Sequence, residues 1–267
     1  MEIELSNIYY RDKLVDINYK FSKGKVTSII GNSGSGKSLI GYVIMGLVKD
    51  YYGDVIINNK VSYDKYDFFK NVSYVFQKPW NHFICKTVYD EIAFSLRNFK
   101  YKEEKIDKQV RDALKMVGLD DNYFTRELNT LSSGEASRVA IATAIVTNPK
   151  VLILDEPTIY IDVDMRNMLI ELIKKLKDKY NKNVIIMSDD MDFVYAVSDN
   201  YILLDKGRII KSGEIDEIKK QSDVLSSCSI YVSKFYDFIN FVNEYKGVNL
   251  DGANNIDDIV QEVIARE

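Results

Sequence analysis

The sequence contains few of the residue types that usually mark disulfide frameworks, metal sites and broken helices. Its 267 residues include two cysteines, three prolines and one histidine. Cys85 and Cys228 have no metal-type spacing, and they indicate free thiols in a reducing compartment. Each proline borders a candidate motif, which suggests turns of fixed geometry at Pro79, Pro149 and Pro157.

Long apolar runs and an excess of positive charge are also missing. No apolar run approaches the roughly 20 residues that cross a bilayer, and nothing near Met1 resembles a signal peptide, so we expect any membrane role to be peripheral. The formal net charge is −4 and the pI is about 5.3. This balance argues against a protein that binds nucleic acid by overall electrostatic attraction, although a local basic patch is compatible with it.

The apolar patterns that are present predict an α/β fold. Residues 1–30 alternate short apolar runs with charged turns, as antiparallel hairpins do. Residues 151–154 and 184–187 are apolar throughout, which is typical of strands buried on both faces. Helical spacing over residues 166–180 joins these two strands into a β–α–β unit. Further strands are predicted at 54–57 and 72–76, a helical region at 88–117, and a hairpin at 201–210.

The length allows either one large domain or a main domain with a small appendage. We favour two parts of unequal size, because the chain becomes helical and polar beyond Gly213 and a boundary is plausible near residues 221–223. The main domain then spans residues 1–221, and a helical extension spans residues 222–267.

The most informative segment is a phosphate-binding loop with the pattern G-x-x-x-x-G-K-S/T. It lies between a predicted strand at 26–30 and a predicted helix that starts at Ser38 and continues through Val48. Its glycines let successive N–H groups converge on an anion at the start of the helix. The lysine would reach the β- and γ-phosphates, and the last serine would bind Mg²⁺. The loop residues are Gly31, Asn32, Ser33, Gly34, Ser35, Gly36, Lys37 and Ser38.

Two carboxylates follow the apolar strand at 151–154. Asp155 and Glu156 are predicted at the carboxyl end of a central strand, where open α/β sheets bind ligands. In a protein with a phosphate loop, Asp155 would hold the metal ion, and Glu156 would orient and polarise the attacking water. The alternative, a solvated acidic turn, is disfavoured by the loop upstream.

Residues 131–135 read LSSGE and resemble the LSGGQ signature of ATP-binding-cassette (ABC) ATPases. The order of phosphate loop, Gln77, signature, Asp155–Glu156 and Asp162 matches that family, and the resemblance covers essentially the whole chain. It implies a mostly parallel core sheet, an antiparallel β subdomain and a helical subdomain at about 88–135. It also implies that the signature binds the γ-phosphate of ATP held by a second subunit. The signature residues are Ser132, Ser133, Gly134 and Glu135. Alone, they could equally form an ordinary helix cap.

The same resemblance assigns roles to further residues. Gln77 would contact Mg²⁺ or the attacking water and report nucleotide state to the membrane partner, and Asp162 would belong to the loop at the dimer interface. Tyr10 resembles the aromatic residue that stacks on adenine, although Tyr9 is an alternative. The implied cofactors are ATP and Mg²⁺.

Residues 76–83 and 87–94 resemble the ATPases of energy-coupling-factor (ECF) and cobalt-uptake transporters. The tail, including residues 247–250 and 256–260, resembles the C-terminal extension of that branch, which helps to pair two ATPases. The resemblance implies a peripheral protein at the cytoplasmic face of the membrane, with a transmembrane coupling subunit and a substrate-binding membrane subunit as partners. Asp90 and Glu91 would pair with arginines of the coupling subunit, or simply form a solvated acidic helix start.

One position departs from the family pattern. The segment after the strand at 184–187 reads Ser188-Asp189-Asp190, where the family carries a histidine that contacts the γ-phosphate. An ionised aspartate accepts hydrogen bonds and repels a phosphate, so we predict slow hydrolysis at this chain's own ATP site. Ser133, which replaces a glycine, adds bulk at the opposite site. Because Glu156 is intact, the chain is either an active half of an asymmetric dimer or an ATP-binding subunit with a regulatory role. The partner ATPase is either a second copy of this chain or a paralogue.

Overall fold

The computed structural model describes residues 1–61, 63–231, 234–246, 250 and 259–260. The described strands are β1 (Ile3–Tyr10), β2 (Leu14–Phe21), β3 (Val26–Ile30), β4 (Tyr52–Ile57), β5 (Val72–Val75), β6 (Val151–Asp155), β7 (Asn183–Ser188), β8 (Asn200–Asp205) and β9 (Arg208–Glu214). The described helices are α1 (Lys37–Ile44), α2 (Lys65–Asn71), α3 (Val88–Asn98), α4 (Glu103–Met116), α5 (Ser133–Ile145), α6 (Val163–Asp178), α7 (Met191–Val197), α8 (Ile215–Lys219), α9 (Ser222–Ser227) and α10 (Lys234–Lys246).

The strands form two sheets, as the ABC resemblance implies. The core sheet has the order β5-β6-β7-β3-β8-β9, with parallel neighbours except at the antiparallel β8–β9 hairpin. A smaller sheet has the antiparallel order β2-β1-β4. The predicted unit β6–α6–β7 is confirmed, since β6 and β7 pair in parallel. The parallel arrangement brings the ends of β3, β6 and β7 to one edge, where the candidate site lies.

The core sheet is buried on both faces because its strands carry apolar residues at successive positions. Leu152 and Leu154 of β6 pack with α3–α6 on one face, while Ile153 packs with α1 and the antiparallel sheet on the other. The alternation follows from the two-residue period of a strand. Both layers hold the carboxyl ends of the strands rigidly.

The helical regions differ in detail from the predicted spans. The region predicted as helical from 88 to 117 is divided into α3 and α4, with Lys100 in a left-handed conformation between them (φ 57°). The first helix ends at Ile44 rather than continuing through Val48, since Gly46 adopts φ 64°, a conformation that terminates helices.

The C-terminal part contains α9 and α10, so its described residues are mostly helical. Residues 247–249 and 256–258 of the predicted tail lie outside the described residues, and the boundary near 221–223 stays a prediction. Among the helices of the described ranges, none has the length and apolar character of a membrane span.

Candidate active site

The loop between β3 and α1 has the geometry of a phosphate cradle. β3 ends at Ile30 and α1 begins at Lys37, so residues 31–36 fill the predicted strand–helix junction. Gly36 caps the helix with a φ of 107°, a conformation that side chains with a Cβ rarely adopt, and glycine is therefore needed there. The free N–H groups and the partial positive charge of the helix start favour an anion at this place.

The buried amine of Lys37 lies at the centre of the loop. It donates a hydrogen bond to the carbonyl oxygen of Gly31 at 2.6 Å and lies 3.0 Å from Oε1 of Glu156. Lys37 and Glu156 are only 6% and 8% exposed. A buried ammonium group requires partners of negative charge or strong dipole, and the phosphates of a nucleotide offer the same chemistry. The position supports the predicted role of Lys37.

Ser38 and Asp155 form the predicted metal pair. The Ser38 hydroxyl donates to Oδ1 of Asp155 at 3.0 Å, although the two residues are 117 positions apart in the chain. Burial raises the pKa of the Asp155 carboxyl, and the hydrogen bonds from Tyr74 and Ser38 oppose that rise. A hydroxyl and a carboxylate side by side are hard oxygen donors of the kind that bind Mg²⁺, so these residues fit the implied ion.

Glu156 has the properties of a general base. Its backbone adopts φ 48°, and its N–H donates to the carbonyl of Met187 at 2.8 Å, which fixes the side chain at the end of β6. Oε2 is buried without a hydrogen-bond partner among the described residues. Burial raises the pKa of Glu156; Lys37 opposes the rise, and Asp189 adds to it. A carboxylate with a raised pKa and a free oxygen can accept a proton from water.

A cleft of about 520 Å³ brings the predicted residues together. The predicted residues that line it are Asn32, Ser33, Gly34, Gly36, Lys37, Ser38, Gln77, Glu156 and Asp189. Gly31 and Ser35 lie in the same loop without lining the cleft, and Asp155 adjoins it through Ser38. The structure thus assembles one site from the ends of β3, β5, β6 and β7.

The two aspartates after β7 have different surroundings. Asp189 is exposed and lines the cleft. Asp190 caps α7, and both of its carboxylate oxygens accept hydrogen bonds from Arg166, at 2.8 and 3.1 Å. Asp190 therefore stabilises the fold, whereas Asp189 adds its negative charge to that of Asp155 in the surroundings of Glu156.

Sequence reasoning missed the turns that complete the cleft. Asp12 and Lys13 of the β1–β2 turn line it, as do Lys206 and Gly207 of the β8–β9 turn. The N–H of Gly207 donates to the carbonyl of Ser35 at 2.9 Å, which fastens the second turn to the phosphate loop. Both turns are visible in the sequence as charged segments between strands, but only the tertiary structure brings them to the nucleotide loop.

The aromatic residues predicted to stack on adenine lie just before the first of these turns. Tyr10 ends β1, and the Arg11 guanidinium lies 5.1 Å from its ring centroid. Neither Tyr10 nor Tyr9 lines the cleft within the described residues, whereas Asp12 does. Adenine stacking stays a prediction for this pair.

The signature residues lie at the surface start of α5. Ser132 caps the helix through the N–H of Glu135 at 3.2 Å, and the Glu135 carboxylate accepts from the N–H of Ser132 at 2.8 Å. Arg126 and Tyr123 each donate to Glu135 at 2.7 Å. These hydrogen bonds, with Arg126 first, lower the pKa of Glu135 to about 2. Ser132 and Glu135 therefore form the helix cap that the alternative predicted. Ser133 is exposed and takes no part in this cap, so it could also contact a partner.

Neither the signature nor Asp162 belongs to the cleft of the same chain. Cleft-lining residues of the described structure include none from 131–135. Asp162 caps α6 through the N–H of Met165 at 2.8 Å, and the adjoining Val163 is 71% exposed. Both segments thus lie on the surface, as contacts to a second subunit require.

The two predicted coupling residues differ in exposure, since the side chain of Asp90 is about half exposed and Glu91 is buried. Asp90 pairs with Arg97 at 3.4 Å and accepts a hydrogen bond from Thr87 at 2.7 Å. Glu91 is 6% exposed, and its Oε2 accepts from the N–H groups of Ile84 and Cys85 at 3.0 and 2.9 Å. Since Glu91 is already satisfied by its own chain, the arrangement does not favour its pairing with a partner's arginine.

The loop, the paired carboxylates and the parallel sheet define a phosphate-loop ATPase. Residues 14–159, more than half of the chain, match the ABC transporter family. The chain therefore belongs to the ABC transporter family of ATP-binding proteins.

Within this family, several relatives similar to this chain are ATP-binding proteins of ECF transporters. The energy-coupling factor transporter ATP-binding protein EcfA2 of Clostridium acetobutylicum is 34% identical over 264 residues, covering 94% of this chain and 92% of the relative. EcfA1 of Staphylococcus aureus is 34% identical over 80% of this chain and 79% of its own length. The structure of cbiO1 from Clostridium perfringens, part of the ABC transporter complex cbiONQ, superposes with a TM-score of 0.73, 29% identity and coverage of 88% of this chain and 97% of that one. The predicted family and branch are confirmed by these similarities.

Proposed function

We propose that the chain is the ATP-binding and ATP-hydrolysing subunit of an ECF-type membrane importer. The observation that carries the proposal is the buried contact between Lys37 and Glu156, at 3.0 Å, beside the Ser38–Asp155 pair. ECF-type relatives of similar length support the choice of branch. A vitamin or a transition-metal ion is the class of cargo that the branch resemblance implies.

The site residues divide the chemistry of hydrolysis. The N–H groups of the phosphate loop and the Lys37 amine bind the β- and γ-phosphates. Glu156 accepts a proton from the attacking water, for which a raised pKa is suited. Ser38, Asp155 and Gln77 would hold Mg²⁺, which neutralises part of the triphosphate charge when bound. Asp189 opposes this charge balance, so we propose that this chain's own site hydrolyses slowly while Glu156 keeps it active. The purely regulatory alternative is not favoured.

A second ATPase subunit completes each site. Ser132–Gly134 lie outside the cleft of their own chain, and this position supports the proposal that they contact ATP bound by a partner. A solved dimeric ATP-binding cassette bound to ADP and Pi is 27% identical and superposes with a TM-score of 0.72, covering 80% of this chain and 98% of that one. We propose ATP-driven closure of such a dimer, with a second copy or a paralogue as partner and with residues 222–267 contributing to the pairing.

Membrane subunits would engage a groove beside the Gln77 segment. The groove has a volume of about 320 Å³ and is walled by Leu47, Phe76, Phe83 and further apolar side chains, with Leu47 56% exposed. An amphipathic helix of a transmembrane coupling subunit fits such a surface. Asp90 lies on α3, which forms one wall of the groove, and it is our candidate for an ion pair with that subunit.

The substrate-binding membrane subunit would then contact the coupling subunit, and nucleic acid has no part in this function. The chain would lie peripherally at the cytoplasmic face of the membrane.

The test is Glu156→Gln in the complex that copurifies with the tagged chain from membranes. We expect ATP binding to be retained, because the loop and Lys37 are unchanged, and hydrolysis at this site to fall at least a hundredfold. Hydrolysis that continues undiminished when Glu156 and the corresponding glutamate of any paralogous partner are both replaced would contradict the proposal. The identity of the copurifying membrane proteins tests the ECF assignment separately.

A further inference from the structure

Tyr74 contacts the predicted metal ligand directly. Its hydroxyl donates to Oδ2 of Asp155 at 2.8 Å, while Ser38 donates to Oδ1 at 3.0 Å. Each oxygen of the Asp155 carboxylate is therefore held by one hydroxyl group. Ser38 is a predicted ligand of the ion and would exchange its contact when the ion binds. The phenol of Tyr74 has no such second role, so its hydrogen bond can persist with the ion in place.

The surrounding fold holds the Tyr74 ring in one position. Tyr74 lies on β5 opposite Ile153 of β6, one strand from the metal ligand. Gly41 of α1 faces the ring, and a Cβ on Gly41 would lie 2.7 Å from Cε2 of Tyr74 and 2.5 Å from Cε of Met187. Because these distances are too short for a methyl group, the absence of a side chain at Gly41 makes room for the tyrosine. A phenol is an O–H donor at neutral pH, so the hydroxyl of Tyr74 can donate to the Asp155 carboxylate.

The same ring reaches the groove proposed for the membrane subunit. Tyr74 walls that groove, and its ring centroid lies 4.6 Å from that of Phe76, which in turn stacks on His82 at 3.9 Å. One side chain thus touches both the carboxylate of the nucleotide site and the surface of the groove.

We infer that Tyr74 is a positioning residue, which fixes the Asp155 carboxylate in the orientation that binds Mg²⁺ with ATP. The inference rests on the proposed function, since it needs an ATP–Mg²⁺ site. A carboxylate held at Oδ2 cannot rotate away from the ion, whereas a carboxylate without this hydrogen bond must be ordered when the ion binds.

The test compares Tyr74→Phe with the wild-type chain by fluorescent-nucleotide binding in the presence of Mg²⁺ and in the presence of EDTA. We expect affinity in EDTA to stay within about twofold and affinity with Mg²⁺ to fall about tenfold, as the loss of a hydrogen bond to a charged group predicts. Tyr42→Phe is the matched control, because the Tyr42 ring lies 5.8 Å from that of Tyr74 in the same aromatic cluster. In Tyr42→Phe, the ratio of the affinity with Mg²⁺ to the affinity in EDTA should equal that of the wild type.

An unchanged ratio in Tyr74→Phe, or an equal loss with and without Mg²⁺, would overturn the inference and leave a packing role. Mn²⁺ bound with ATP provides a second measurement, since its electron paramagnetic resonance spectrum should broaden in Tyr74→Phe and not in Tyr42→Phe. Wild-type nucleotide binding and hydrolysis test the proposed function in the same preparations, so failure of that function is distinguished from failure of the inference. Thermal unfolding of each variant confirms that it is folded.

Discussion

At the scale of single residues, the site combines the predicted catalytic groups with one unfavourable charge. Glu156 contacts Lys37 and has a buried free oxygen. Burial raises the pKa of Glu156, and Asp189, which lines the same cleft, adds to the rise. A negative side chain at this place weakens attraction for phosphate without removing the base. Because Glu156 is present and the charge of Asp189 is unfavourable, we propose a slow but active site.

Replacing Asp189 with histidine should increase ATP turnover by the assembled complex. The imidazole would remove a charge that repels the γ-phosphate and add a hydrogen-bond donor, and together these two effects should lower the barrier by about 1 kcal/mol, which increases the rate several-fold. We expect a rise of about fivefold to tenfold in steady-state hydrolysis. Asp192→His is the matched control, because Asp192 is exposed on α7 outside the cleft-lining set. If Asp189→His leaves the rate unchanged while Glu156→Gln abolishes it, Asp189 is not the limiting residue.

The sequence predicted the residues of the site far better than their contacts. The phosphate loop and the carboxylate pair were predictable, because strand–loop–helix chemistry is local and its spacing is fixed. The contacts of Tyr74, Lys206 and Gly207 were not, since each depends on which strands become neighbours. Glu91 illustrates the same limit. Its place in the first turn of a helix suggested an exposed acid, whereas tertiary structure folds the segment at Ile84 and Cys85 onto its carboxylate.

At the scale of elements, α5 has an unusually well-satisfied start. Ser132 and Glu135 form a reciprocal capping box, and Arg126 and Tyr123 add three further hydrogen bonds to the same carboxylate. An ordinary capping box links only the cap and the third residue of the helix. Here it also ties the helix to the segment before it, so the position of the signature depends on one ionised side chain.

Glu135→Gln should lower stability in a pH-dependent way. The folded-state pKa of Glu135 is about 2 against an ordinary 4.5, so its ionised form stabilises the fold above pH 4.5 and that contribution is lost as pH falls from 4.5 towards 2. At pH 7 we expect Tm to fall by roughly 2–4 °C, which corresponds to about 1 kcal/mol for a partly exposed group in a chain of this size.

The difference between wild type and Glu135→Gln should be smaller at pH 3 than at pH 7 in urea unfolding. Glu127→Gln is the matched control, since Glu127 pairs with Lys86 at 2.9 Å in an exposed ion pair, and such pairs contribute little to stability. A difference for Glu135→Gln that is the same at both pH values would show that its charge is not the cause.

At the scale of the whole molecule, the two segments predicted to form the halves of a shared ATP-binding site lie apart on one chain. The cleft is formed by the ends of the core strands, while the signature lies at the start of α5, outside that cleft. This separation is what makes a dimer necessary for the proposed closure. The fold class was predictable because the buried strands and the β–α–β unit have clear patterns. No comparable sequence pattern predicts how two chains pair, and the dimer was predicted from the family resemblance alone.

Gly134→Asp should abolish ATP-driven dimerisation and leave ATP binding to the single chain unchanged. A Cβ at Gly134 meets only the carbonyl of Tyr160, at 3.6 Å, so the monomer has room for a side chain. The added carboxylate would face the γ-phosphate of the partner's ATP and repel it. We expect analytical ultracentrifugation of the ATPase pair to show a dimer for Glu156→Gln with ATP and Mg²⁺, and dissociated subunits for Glu156→Gln combined with Gly134→Asp.

Gly118→Asp is unsuitable as a control because Gly118 adopts φ 68°, whereas Ser137→Asp would introduce a charge at a buried position. Ser22→Asp in the exposed turn between β2 and β3 is the matched control, because it adds the same charge outside both the signature and the cleft. Persistence of the dimer in the Gly134→Asp variant would contradict the placement of the signature against the partner's nucleotide.

The hydrogen bonds from Arg126 and Tyr123 to Glu135 also have a consequence for the divergence of related sequences. A glutamate at this position brings a negative charge next to the place where another subunit's triphosphate is expected, and Arg126 and Tyr123 compensate for it within the chain. Relatives with a neutral residue there have no such requirement. We therefore expect the acid, the arginine and the tyrosine to have been gained and lost together during evolution, so that the three positions change as a group.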